Sequence, residues 1–191
     1  GLAYLANGAT LLLTGLLGRL RGAGVVNPVE SIGLYPLPLQ LLLAGLIAPA
    51  AEELLFRRLL LRRLRPYGER FALVASALCF GLFHGNLNQF FYAFLLGLVL
   101  AELALSTGCL WQAVLLHALV NLFSILWGWL GGPVVVTGVL MLAGAMVPFR
   151  LIPALLARPD AERGTWRRFL TSPGVLCFGA LSLSLALSYL I

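Results

Sequence analysis

Apolar residues in this chain run in segments that are hydrophobic on every face, and a helix of that kind has no polar side to turn towards water. Seven such segments can be read, at residues 2–17, 34–56, 71–85, 89–105, 110–130, 133–156 and 174–191. Several approach the roughly 20 residues that a helix needs to cross the hydrocarbon core of a bilayer; 71–85 is short and must extend, tilt or end within the protein. Charged residues make up only 10% of the 191, against about a quarter in a soluble domain. The pattern predicts an all-α, polytopic transmembrane helical bundle of about seven spans, with residues 1–191 forming a single integral membrane domain.

The net charge of +6 comes from arginine alone, since the chain has no lysine. One cluster, Arg57, Arg58, Arg62, Arg63, Arg65 and Arg70, surrounds the turn-forming Arg65-Pro66-Tyr67-Gly68, and a second holds Arg150, Arg158, Arg163, Arg167 and Arg168. With seven spans both clusters fall on one side of the membrane, and only Arg19 and Arg21 lie opposite. The excess of positive charge on short loops then places the arginine-rich side in the cytoplasm. Clusters beside apolar spans read as topology signal and anionic-lipid contact rather than as a basic face for nucleic acid. Cys79, Cys109 and Cys177 are scattered in or beside apolar segments, so neither a disulfide framework nor a thiolate metal site is expected. The first apolar stretch lacks a basic leader and a clear cleavage site, so no signal peptide is expected.

Ionisable groups within a span are costly and mark function. The candidates are Glu52, Glu53, Arg57, His84, His117 and Asn121, with Asn86, Asn88 and Glu102 more peripheral; both histidines of the chain are among them. Counted at about 1.5 Å per helical residue from the arginine-rich side, Glu52 lies about 15 Å deep, His84 about 21 Å, His117 about 14 Å and Asn121 about 20 Å. Three helices thus bring polar groups to one layer. Glu53 and Arg57 are four apart and can pair along one face, whereas Glu52 points about 100° away, towards a different neighbour. His117 and Asn121 are also four apart and project together. Pro49, just before Glu52, removes a backbone donor and predicts a kink beside the site. Gly81 and Gly85, flanking His84, allow close helix approach or a break.

A carboxylate partly withdrawn from water is a competent general base near neutral pH. Glu52, aided by His84, can deprotonate a water that attacks a peptide carbonyl, while His117 and Asn121 supply N–H donors to the developing oxyanion. Arg57 would keep Glu53 ionised and fix the local network. The only aspartate, Asp160, lies in a loop.

These residues form three motifs: EExxxR as Glu52-Glu53-Leu54-Leu55-Phe56-Arg57, FxxxH as Phe80-Gly81-Leu82-Phe83-His84, and HxxxN as His117-Ala118-Leu119-Val120-Asn121. In this order, and within apolar helices, they resemble the CAAX protease and bacteriocin-processing (Abi) family of intramembrane endopeptidases, over a motif-bearing core at 52–121. The resemblance implies that Glu52 and His84 activate water and that His117 and Asn121 stabilise the oxyanion, with Glu53 and Arg57 supporting them. It implies a protein or peptide substrate, which can itself be membrane-associated, and a lipid bilayer as surroundings. The compact, loop-poor chain suggests a bacterial cytoplasmic membrane and makes a prenylated substrate less expected.

Other readings stay open. No cofactor is expected, but Glu52, His84 and His117 could ligate Zn2+ with a position left for water, making a metalloprotease of the same residues. A non-catalytic immunity or scaffold protein would keep the polar cluster unused. A transporter finds less support, because no inverted repeat is visible. Glu102 reads as a side chain snorkelling to the cytoplasmic edge, Asn86 and Asn88 as turn residues, and Trp111, Trp127 and Trp129 as interface anchors or packing.

Overall fold

The computed structural model describes residues 2–22, 28–132 and 134–189. Among the described residues it is helical throughout, with no strand: α1 (Leu2–Arg21), α2 (Leu37–Tyr67), α3 (Glu69–Phe83), α4 (Leu87–Thr107), α5 (Leu110–Trp129), α6 (Val134–Ala145), α7 (Val147–Ala157), α8 (Thr165–Leu170) and α9 (Pro173–Ser188). A short 3-10 turn at Pro28–Leu34 precedes α2. The all-α bundle is as the apolar segments predict. By length and composition, four helices can each cross a membrane: α2, α4, α5 and the stretch Val136–Ala157; α1 and α9 are shorter apolar helices.

Two boundaries differ from expectation. The second segment was expected to leave the apolar phase near residue 56, yet α2 continues through the arginines to Tyr67. Arginine is a good helix former, so the charge marks the exit from lipid without ending the helix; Pro66 and Gly68 end it, the latter at φ +127°. The segment read as 133–156 divides at Met146 into α6 and α7, with Pro148 in the first turn of α7. Pro133 and residues 190–191, the ends expected for two segments, lie outside the described residues.

α3 is the central element. Ala72, Leu73, Ala75 and Ala77 are fully buried on it, and Phe71 and Phe80 nearly so. Small residues let α4 approach closely: a Cβ added at Gly97 would lie 3.1 Å from the Cα of Ala77 and 3.1 Å from the Phe80 ring, and one at Gly81 would lie 3.1 Å from the Phe90 carbonyl oxygen. Close packing of small residues is what holds helices together where lipid is as apolar as leucine. The outer surface is the inverse of a soluble protein's, with Leu12, Leu34, Leu142 and Leu181 among many exposed apolar side chains.

The α3–α4 turn is set by local chemistry. Gly85 takes φ +59°, and Asn86 caps α4 by accepting the Gln89 N–H at 2.9 Å. Asn86 is therefore a turn residue as expected, and it is buried. At the arginine-rich end, Arg158 forks onto both oxygens of Glu102 at 2.7 Å and reaches Glu69 at 2.7 Å. Glu102 is thus ion-paired within the protein rather than snorkelling alone, and this pairing ties the end of α7 to α3 and α4. Trp111 and Trp129 are exposed, whereas Trp127 donates its indole N–H to Thr137 at 3.1 Å.

Candidate functional site

The site is built on a distorted α2. Two wide, π-type turns, Leu43–Ile47 and Leu54–Leu61, bracket the α-helical stretch Ala48–Glu53 that carries both glutamates. In the first of them the Ala48 N–H donates to the Leu43 carbonyl, five residues back. Continued by one residue, that register would pair the Ala44 carbonyl with the N–H of residue 49. Pro49 has none. The orphaned carbonyl is taken by Asn121 of α5, whose amide nitrogen lies 2.9 Å away. Beside Pro49, where a kink was expected, the structure shows a widened turn and a cross-helix bond.

The two adjacent glutamates occupy different environments. The Glu53 side chain is 0% exposed and lies 3.0 Å from Arg57 Nε, forming the expected pair along one face. Arg57 is buried as well; its Nη1 donates to Ser76 Oγ at 3.2 Å, and its guanidinium lies 4.9 Å from the centroid of the Phe80 ring. Ser76 in turn donates to the Phe56 carbonyl at 3.0 Å, inside the second wide turn. Glu52 retains 18% side-chain exposure, and among the described residues no arginine pairs with it.

His117 joins the two. Its Nδ1 lies 3.0 Å from Glu53 Oε1, and its Nε2 lies 3.8 Å from Glu52 Oε2. A carboxylate beside a buried arginine is an acceptor, so Nδ1 carries the hydrogen and Nε2 is the atom presented to Glu52. The 3.8 Å separation exceeds a hydrogen bond and leaves both atoms free to address a third group. His84 sits at the C-terminal end of α3, where Nδ1 lies 2.9 Å from the Phe80 carbonyl oxygen. A carbonyl only accepts, so His84 Nδ1 donates and Nε2 remains an acceptor. Its hydrogen bond goes to that backbone rather than to Glu52. Phe80 is the hub of the cluster, edge-to-face with His84 at 5.1 Å and with His117 at 5.6 Å.

Glu52, Glu53, Arg57 and His117 are therefore in direct contact, His84 borders them across Phe80, and Asn121 anchors α5 to α2. The sequence had not pointed to Ser76, to the Asn121–Ala44 bond or to the pairing of His117 with the inner glutamate. A hydroxyl in the middle of an apolar helix is the signal for Ser76, and the carbonyl freed by Pro49 is the signal for the second. As to zinc, Glu52 Oε2 and His117 Nε2 face one another, but among the described residues no three His, Cys, Asp or Glu side chains cluster so as to hold a metal ion, and His84 does not complete the Glu52, His84 and His117 set.

A cavity of about 410 Å³ opens between α2, α4 and α5 at the end of the bundle away from the arginines. Gln40, Ala44, Gln89, Tyr92, Asn121 and Ser124 are among its walls. Tyr92 also approaches the cluster, its ring centroid 6.4 Å from that of His84.

Searches among curated proteins and among solved structures gave no match. A scan against family models matched residues 35–123, the stretch that holds every residue of the cluster. With the four long apolar helices, that match supports an integral membrane protein and, at the level of the family, a protease of the CAAX type. The matching model is described as "Type II CAAX prenyl endopeptidase Rce1-like", and over residues 35–123 the chain is similar to the CAAX protease family to which its three motifs point.

Proposed function

We propose that the chain is a glutamate-dependent intramembrane endopeptidase. The observation that carries this reading is the division between its adjacent glutamates: Glu53 is sealed and paired with Arg57, while Glu52 is partly exposed and unpaired by arginine. A general base needs to reach a water, and a structural carboxylate does not.

In this reading Glu52 takes a proton from a water that His84 Nε2 helps to hold. The water oxygen attacks the scissile carbonyl carbon, and its double bond opens to an oxyanion. Donors from α5 stabilise that charge: His117 through Nε2 when it carries a proton, and Asn121 through the amide hydrogen not given to Ala44. Collapse of the intermediate breaks the C–N bond. The proton held by Glu52 passes to the leaving nitrogen, giving a carboxylic acid and an amine; the acid then loses its remaining proton to solvent or to the amine, and Glu52 is again a carboxylate. Glu53 and Arg57 act through His117 by fixing its ring. The step uses no cofactor; the competing zinc reading would need His84 to move towards Glu52 and His117 to complete a set of three ligands.

The substrate is proposed to be a protein or peptide reached within or beside the bilayer, in a bacterial cytoplasmic membrane with the arginine-rich loops on the cytoplasmic side. The test is cleavage of a fluorogenic peptide library by purified wild-type protein and by Glu52→Ala, in detergent and in lipid, with metal content measured on the same sample. Cleavage that disappears in a folded Glu52→Ala, without stoichiometric metal, supports the reading. Equal signal from both proteins sinks it in favour of a non-catalytic immunity or scaffold role.

A further inference from the structure

α3 carries one hydroxyl, Ser76, set among the fully buried Ala72, Leu73, Ala75 and Ala77 and itself fully buried. A hydroxyl in such a place must be satisfied inside the protein, and its partners fix the direction of both its bonds. The Phe56 carbonyl at 3.0 Å can only accept, so Ser76 gives it its single hydrogen. Arg57 Nη1 at 3.2 Å can only donate, so Ser76 Oγ accepts from it. The same guanidinium meets Glu53 Oε2 through Nε at 3.0 Å, and Glu53 Oε1 meets His117 Nδ1 at 3.0 Å. Ser76, Arg57, Glu53 and His117, each at most 2% exposed, thus form one chain across α3, α2 and α5. It ends at His117 Nε2, 3.8 Å from Glu52 Oε2.

Ser76 is what orients Arg57 within this chain. Arg57 Nη2 is buried without a hydrogen-bond partner among the described residues. The Phe80 ring, 4.9 Å from the guanidinium, attracts it without fixing its rotation. A guanidinium is rigid and planar, so a bond at Nη1 also sets where Nε points. Without the Ser76 oxygen, a buried donor and a buried carbonyl would both lack a partner, and a guanidinium drawn towards that carbonyl would carry Nε away from Glu53. Glu53 would then be free to turn, and its Oε1 is what keeps a hydrogen on His117 Nδ1. We propose that Ser76 is a positioning residue for the reaction: through Arg57 and Glu53 it holds the His117 imidazole with Nδ1 donating and Nε2 turned to Glu52. The proposal rests on the peptidase reading above.

The experiment records imidazole nitrogen NMR spectra of isotope-labelled wild type, Ser76→Ala and Ser76→Cys, at about pH 8.5, well above the ordinary histidine value. Thermal stability, kcat and KM are measured on the same samples. The chain has two histidines, and His84→Gln assigns their signals. In wild type both rings are expected to carry a hydrogen on Nδ1. Ser76→Ala is expected to leave His84, bound to the Phe80 carbonyl, unchanged and to spread His117 over both tautomers. Partners that orient metal-bound histidines are worth about 10–100-fold in activity. By the same logic kcat is expected to fall by about 10-fold or more, with little change in KM because Ser76 meets no substrate. Ser76→Cys fills the same place with a weaker donor and acceptor; it is expected to show both effects in smaller degree, and it serves if the alanine variant does not fold. A folded variant that melts lower yet keeps the wild-type His117 spectrum and kcat has lost only a structural bond, and overturns the proposal. So does a kcat loss with the His117 spectrum unchanged, or a mixed His117 spectrum with kcat intact. Glu52→Ala separates the levels. If it cleaves like wild type, the peptidase reading falls and the role of Ser76 in a reaction with it, whereas the spectra by themselves decide whether Ser76 holds His117.

Discussion

Asn121 of α5 donates to the Ala44 carbonyl of α2 at 2.9 Å, the carbonyl that the register of the widened turn would pair with position 49, where Pro49 offers no N–H. Losing the hydrogen bond to this half-buried carbonyl costs about 0.5–1.5 kcal/mol. Asn121→Ala is therefore expected to lower stability by that amount as well as activity. Adding Pro49→Ala restores an N–H at position 49 and should recover much of the stability but not the activity. Thermal unfolding of the four proteins in one detergent checks this, and a Pro49→Ala change that gives no rescue would break the link between the two residues.

The paired glutamates should separate stability from chemistry. Removing one partner of a buried ion pair costs about 3–5 kcal/mol, because the other charge is left unmatched. Glu53→Ala strands Arg57 and frees His117, so it is expected to unfold well below the wild-type temperature. Glu52→Ala, at a partly exposed and arginine-free position, should stay within about 1 kcal/mol of wild type while losing cleavage. Comparable melting temperatures for the two variants would contradict the assignment of the inner glutamate as structural.

Gly97 is expected to tolerate no larger side chain. A Cβ there meets the Ala77 backbone and the Phe80 ring at 3.1 Å, and overpacking of this kind costs about 1–3 kcal/mol. Gly97→Val should therefore destabilise the protein and, by displacing Phe80, also reduce activity. Gly138, with nothing near its Cβ, is the control: Gly138→Ala should leave both unchanged in the same assays.

Acid should loosen the arginine-rich edge, outside the spans. Burial alone would raise the Glu69 carboxyl, but hydrogen bonds and charge from Arg65 and Arg158 outweigh it and hold the group below its ordinary 4.5. A carboxyl depressed in the folded state contributes stability above its unfolded value and loses that contribution as pH falls through the folded value. Stability should thus be level above about pH 5 and decline below pH 4, with Glu69→Gln showing a shallower decline. A Glu69→Gln protein with the wild-type pH profile would remove Glu69 from the account.

What could be read in the sequence was whatever is encoded locally or by type. The Glu53–Arg57 pair follows from i,i+4 spacing, the Asn86 turn from its position between Gly85 and the next apolar run, and the membrane bundle from helices without a polar face. Contacts between distant helices were not legible. Nothing in a spacing of 64 residues says that His117 seats on Glu53 rather than facing only the reacting water, and Glu102 read as a lone snorkelling charge because Arg158 lies 56 residues away. The apolar segment at 34–56 marked only the stretch facing lipid, and the helix that carries it runs on to Tyr67.

The two bonds from α5 to α2 have a mechanical consequence. Leucine-rich surfaces immersed in lipid slide past one another with little penalty, since every offset exposes similar grease. His117 on Glu53 and Asn121 on Ala44 act as two pegs of unlike chemistry on successive turns of one helix. A slip of one turn, about 5.4 Å, would break both bonds together. The helix pair therefore has a single indexed position, and the same pegs that hold it there bring the His117 imidazole to Glu52.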